Sequence, residues 1–263
     1  MLKKLLKYDI RGMAKSLAPF YGLVILLGAL VRLFGIIEKK LPIIEVISTT
    51  ILAFFIISIT AIVFYTFFVT IRRFYRTVLK DEGYLTNTLP VKKSNIILSQ
   101  LITAILSIIA SVAIAIISLL IAFYTKGMIK EVIDSINQVI ALSGVDAWIS
   151  YLYVLIILFI NYITYVLTFF LALILGHQKS QNKIAHSFGY GIIIYIVMQL
   201  IAAMGIGIVS VFDNNIIEIL NKSNATFYEM IPIFISAIIT SLISIIIEYL
   251  LSCKFINNKL NLE

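Results

Sequence analysis

The sequence predicts an all-α integral membrane protein with six transmembrane helices, and three observations predict it. The first is composition. Of 263 residues, 61% are hydrophobic and 13% charged, whereas soluble domains run to roughly 45–50% and about 25%. A soluble chain of this size could not hide that much apolar surface, but lipid leaves outward-facing Ile and Leu without penalty. The second is the gathering of apolar residues into six runs, each reaching the roughly 20 residues that cross about 30 Å of hydrocarbon. The third is where the charge lies. The formal net charge of +8 sits in short segments between the runs, where Lys and Arg act as topology signals and not as a nucleic-acid surface.

The first run covers about 17–37. Lys3, Lys4, Lys7, Arg11 and Lys15 precede it, so it must be distinguished from a signal peptide. It is too long, and Arg32-Leu33-Phe34 stands where a small-residue cleavage site would be, so it reads as a retained anchor. The remaining runs cover about 42–71, 95–124, 147–175, 187–212 and 231–251. All six are Ile-rich, but runs this long without period-2 alternation exclude strands and a barrel. Together they make one transmembrane domain, 1–263.

Orientation follows from Lys and Arg. The N-terminal segment, Arg72 to Lys93, Lys179 with Lys183, and Lys254 with Lys259 form the rich set, which the positive-inside rule puts in the cytoplasm with both termini. The opposite side holds Lys39, Lys40, Lys126, Lys130 and Lys222.

The segments outside the runs carry further expectations. In 1–16, Leu2, Leu5, Leu6, Ile10 and Met13 follow helical spacing, with the cations mostly opposite. That pattern predicts an amphipathic helix in the membrane interface, its cations among anionic headgroups. On the outer side, Ile129, Val132, Ile133, Ile136 and Ile140 form a second stripe within 127–141, and 213–230 carries Ile216, Ile217, Ile219 and Leu220. These two segments act as a lid or as interfacial anchors.

Spans two and three are joined by the longest cytoplasmic connection. The helical pattern continues through Arg72, Arg73, Phe74, Tyr75, Arg76 and Val78, and beyond it Gly83 and Pro90 punctuate the chain. A short helix or turn fits between them, with Tyr84, Leu85 and Leu89 toward one side, and Ser94-Asn95 can cap the next span. Apolar residues on such a loop predict a partner surface.

The run from Tyr75 to Val91, with Lys80-Asp81-Glu82-Gly83-Tyr84-Leu85-Thr86-Asn87-Thr88-Leu89-Pro90 at its heart, resembles the cytoplasmic coupling segment of ABC-2 type exporter permeases of low-GC Gram-positive bacteria. The wider layout is similar as well: an amphipathic N-terminal helix, six spans, and a coupling helix between the second and third. The likeness in topology covers nearly the whole chain, and the local run about twenty residues. The resemblance implies a permease subunit in the bacterial cell membrane that pairs with a second, identical or related, permease. Separate ABC ATPase subunits would dock on the coupling segment (Asp81, Glu82, Gly83, Tyr84, Leu85, Thr86, Asn87 and Leu89) and would bring the ATP and Mg.

This chain has no phosphate-cradling Gly-x-x-x-x-Gly-Lys-Ser/Thr loop, and no catalytic set, cofactor site or metal site is expected of it. Gly205-x-Gly207 lies in mid-span and reads as close helix packing. His177 and His186 flank a short loop and read as solvated. Within the spans, Glu248 is either a functional acid or a carboxylate that lies at headgroup level or pairs with Lys254. Asn161, Tyr162, Thr164, Tyr165 and Thr168 either line a path or bond between helices. Arg32 snorkels to the interface. Cys253, the single cysteine, is read as a buried inert thiol.

An exporter permease is therefore the favoured reading. Spans this apolar suit an amphipathic or hydrophobic cargo, such as a peptide or lipid. The alternatives are a secondary carrier or uptake-type subunit, and an intramembrane enzyme, for which Glu248 alone is too little.

Overall fold

The computed structural model describes residues 2–38, 44–80, 82–83, 88, 90–125, 128–141, 147–212, 215–222 and 227–257. Its elements are helical, and six of them are long and apolar enough to cross a membrane. The reason is the one the composition implies: without water, only a helix satisfies every backbone N–H and C=O within one segment.

The helices group into two compact units, 1–129 and 130–263. In the first, α1 (Leu2–Glu38), α2 (Glu45–Phe74) and α3 (Lys93–Phe123) pack against one another pairwise. A π-helical turn, Tyr75–Leu79, extends α2. The helix α4 (Met128–Ala141) starts at the end of the first unit and lies mostly in the second; Val132, Ile133 and Ile136 are exposed on it. In the second unit, α5 (Ala147–Gly176), α6 (Lys183–Phe212) and α8 (Phe227–Asn257) pack pairwise, and the short α7 (Asn215–Asn221) leans on α6 and α8. Ile216 of α7 is fully buried.

Two features seal the first unit. Tyr21 of α1, Thr66 of α2 and Ser111 of α3 meet through their hydroxyls, at 2.8 Å for Tyr21–Ser111 and 2.6 Å for Thr66–Ser111. Such polar contacts hold helices together where lipid removes the hydrophobic drive. Near the other end, Gly28 lies against the Ser118 carbonyl and Phe55. A side chain there would strike backbone, so glycine permits the close crossing of α1 and α3.

The N-terminal expectation needs correction. Residues 2–16 form not a separate helix but the start of α1, which runs unbroken from Leu2 to Glu38 with Pro19 inside it. Asp9, Met13 and Leu17 form a buried line at four-residue spacing, and Met13 and Leu17 pack on Val69 of α2. The apolar stripe continues into span one without a change of phase, so the same face packs against protein throughout. Leu5 and Leu6 are half-buried, and Ile10 is exposed.

Spans five and six begin about a turn earlier than expected, at Lys183 and Phe227, because hydropathy marks the hydrocarbon-facing part whereas helical bonding continues into polar surroundings. α3 begins at Lys93, and its N-cap, Lys92, makes no side-chain cap bond. Ser94 and Asn95 lie inside the first turn instead of capping it, and the Asn95 N–H donates to the Lys92 carbonyl at 2.9 Å. Arg32 does more than snorkel. Its Nη1 donates to the carbonyls of Ile121 and Tyr124, at 3.2 and 3.4 Å, and so caps orphan acceptors at the end of α3. Arg32→Met should lower stability by about 1 kcal/mol, since the bonds are exposed. A melting shift in detergent would show it, and an unchanged melt would mean that water serves those carbonyls equally well.

Candidate functional site

Each unit contains a polar cluster. In the first, the centre is Asp9, buried on the face of α1 that α2 and α3 cover. Arg73 Nη2 donates to Asp9 Oδ1 at 3.1 Å, and Gln100 Nε2 donates to the same oxygen at 2.8 Å. Ser99 Oγ donates to Oδ2 at 2.6 Å. Arg73 also reaches the Tyr8 carbonyl at 3.2 Å. A Cβ at position 12 would overlap the Arg73 guanidinium, so Gly12 leaves the groove in which Arg73 crosses α1. One carboxylate thus ties all three helices together.

The network reaches the turn that ends α2. Thr77 Oγ1 donates to the Arg73 carbonyl at 2.9 Å, and Gln100 Nε2 lies 3.4 Å from the Thr77 hydroxyl. Beyond it, the Lys80 N–H bonds to Tyr75 O, the Glu82 N–H to Arg76 O and the Gly83 N–H to Lys80 O. Arg76 pairs with Glu82 at 3.1 Å on the surface. The start of the α2–α3 connection is therefore fastened to a wide helical turn, a feature common at functional sites. Of the residues expected to meet a partner, Glu82 and Gly83 are placed this way. Asp81, Tyr84, Leu85, Thr86, Asn87 and Leu89 lie outside the described residues.

The second cluster surrounds Glu248. Its side chain is fully buried in α8, and Thr168 Oγ1 of α5 donates to Oε1 at 2.5 Å. Oε2 is buried without a partner, as is the Ser252 hydroxyl one turn on. The expected pairing with Lys254 is absent: no ion pair to Glu248 occurs among the described residues. A cavity of about 220 Å³ lies alongside, lined by Asn161, Tyr165 and Thr168 of α5, Gln199 of α6, and Thr240 and Ser244 of α8. Asn161 and Tyr165 thus come together as expected. Tyr162, half-buried on the same helix, is not part of the lining. Gly205 sits against Thr240, consistent with close packing of α6 on α8.

Asp9, Ser99, Gln100 and Gln199 were not singled out from sequence, yet a signal existed. Ser236, Thr240, Ser244, Glu248 and Ser252 recur every fourth residue on α8, and Ser99, Thr103, Ser107 and Ser111 do so on α3. All are buried. Such a stripe marks the face turned to neighbouring helices.

His177 corrects another expectation: it is buried, not solvated, at the turn between α5 and α6. Its Nδ1 lies 2.8 Å from the Leu173 carbonyl, and Gln178 donates to Phe255 O at 3.1 Å. His186 is exposed. Burial pushes the His177 imidazole below its ordinary value and the Lys183 charge adds to this, while the bond to Leu173 opposes it. The neutral ring is thus favoured in the folded state. Its stabilising effect is fully present above the unfolded value of about 6.5 and fades as pH falls toward the lower folded value. The melting temperature should fall between about pH 7 and pH 5, and less steeply in His177→Gln. Equal slopes would remove His177 as the cause.

No protein-family model, curated protein or solved structure matches the chain. What the helices define is a class: six spans long and apolar enough for the bilayer make this a multi-pass membrane protein.

Proposed function

We propose that this protein is the membrane-embedded permease subunit of an ABC exporter. It resides in a bacterial cell membrane with both termini cytoplasmic, works beside a second permease, and is driven by separate ATPase subunits. The cargo is hydrophobic or amphipathic, a peptide or a lipid. The single observation that carries this reading is the mounting of the α2–α3 connection. Glu82 is bonded to the π turn and Gly83 to Lys80 just beyond it, and that turn is linked through Thr77, Arg73 and Asp9 to α1 and α3. A push on the connection would be felt by three spans at once, as a lever for an external motor requires. The resemblance of residues 75–91 to coupling segments supports the same reading.

Tagged purification from the native host tests it. A P-loop ATPase should accompany the protein. Orientation has its own check: with Cys253 replaced by Ser, Thr86→Cys should resist an impermeant external thiol reagent in intact cells, and labelling would reverse the proposed topology.

A second reading has one observation in its favour. The buried Glu248, with Oε2 unpartnered beside a polar cavity, is the kind of intramembrane acid that a proton-coupled carrier uses. A monomer active on an ion gradient, without any ATPase, would establish that reading instead.

A further inference from the structure

The first unit holds a larger cleft, about 680 Å³, between the start of α1 and the end of α2. Four cations line it, Lys15, Arg72, Arg73 and Arg76, against two carboxylates, Asp9 and Glu82. Both carboxylates are already engaged, Asp9 by Arg73 and Glu82 by Arg76. Lys15 and Arg72 have no ion-pair or hydrogen-bond partner among the described residues, and Arg73 Nε is buried without an acceptor. The cleft thus carries surplus positive charge and an unused guanidinium N–H. Tyr65 and Val69 supply its apolar wall.

Its depth in the membrane is set by the sequence. Residues 46–71 carry no charge, and at about 1.5 Å per residue they outreach the roughly 30 Å hydrocarbon layer. Arg72 is the first charge after them, so the cleft opens at the polar boundary. Arginines of this kind favour phosphate, whose oxygens match the guanidinium fork.

We propose that the cleft binds a phosphate ester, with its anion on Lys15 and Arg72. An anionic phospholipid presents that group at the right level, with its glycerol and first acyl carbons against Val69. A soluble phosphate ester presents the same chemistry from the aqueous side. The site stands independently of the exporter reading, because it requires neither an ATPase nor transport.

The test uses the purified full-length protein in detergent. Phosphatidylglycerol, phosphatidylcholine of the same chains, and glycerol 3-phosphate are the probes, read by native mass spectrometry and by melting. Phosphatidylglycerol, whose phosphodiester leaves a net negative charge, should bind and raise the melting temperature, and phosphatidylcholine, whose phosphodiester is balanced by its choline cation, should bind much more weakly. Lys15→Gln with Arg72→Gln should weaken that binding at least about tenfold, as two cations near a membrane surface imply. Lys15→Arg with Arg72→Lys should keep it, as should Lys179→Gln with Lys183→Gln in the other unit. Binding of glycerol 3-phosphate with the same variant dependence, and no preference among lipids, would support the phosphate site and assign it a soluble ligand. Equal binding of both lipids without phosphate binding, or full binding by the Gln double variant, would overturn the proposal. The lipid comparison uses the unaltered protein, so it stands even where a variant fails to fold.

Discussion

Asp9→Ala should destabilise the protein by about 3–5 kcal/mol, the cost of stripping one partner from a buried ion pair. The side chains of Arg73 and Asp9 are only 16% and 11% exposed. Without the carboxylate, the mostly buried guanidinium keeps a charge with no counter-ion among the described residues. Ser99 and Gln100 lose their acceptors in the same step. Removing both charges together should cost far less, because Asp9→Leu with Arg73→Met replaces the pair by apolar groups of similar bulk. Unfolding of the single and double variants in detergent measures the coupling between the sites. A change in Asp9→Ala within about 0.5 kcal/mol, the usual range for surface substitutions, would mean that the network does not hold the three helices together.

The second large effect concerns the proposed ATPase partner. Tyr84→Ala with Leu85→Ala should weaken ATPase binding by about 2 kcal/mol or more, the loss typical of a buried aromatic anchor, which is about 30-fold in affinity. Neither residue belongs to a span, so melting and membrane insertion should be those of the parent protein. Glu82→Gln should act differently. It removes a surface pair with Arg76 worth less than about 1 kcal/mol, and so should leave stability nearly unchanged. Normal ATPase co-purification and normal transport in the double Ala variant would return the loop to a plain connector.

How much of this was legible in the sequence divides along physical lines. Each span was readable because hydropathy over twenty residues is a strong, local signal; spans four and six lie within α5 and α8. The short helix at 128–141 was readable from its apolar period. The fate of segment 1–16 was not. Its amphipathic pattern suits a membrane surface and a protein groove equally, and only the partners of Asp9, Met13 and Leu17 decide between them. Burial of His177 likewise depends on the bonding of the α5–α6 turn, where Gln178 reaches Phe255 far along the chain. At Glu248 the sequence could not show the partner, Thr168, which reaches it through a contact eighty residues away in sequence. Long-range polar contacts of this kind leave only a faint mark in one sequence, the four-residue recurrence of Ser and Thr on α3 and α8.

In the proposed function, a separate ATPase powers transport through these spans. The most direct measurement reconstitutes the permease with its co-purified ATPase in proteoliposomes and follows cargo movement under two energy sources. Transport should require Mg and ATP, stop with a non-hydrolysable analogue, and ignore an imposed proton gradient. Transport by the permease alone on a proton gradient, abolished in Glu248→Gln and indifferent to ATP, would contradict the claim and make the protein a carrier.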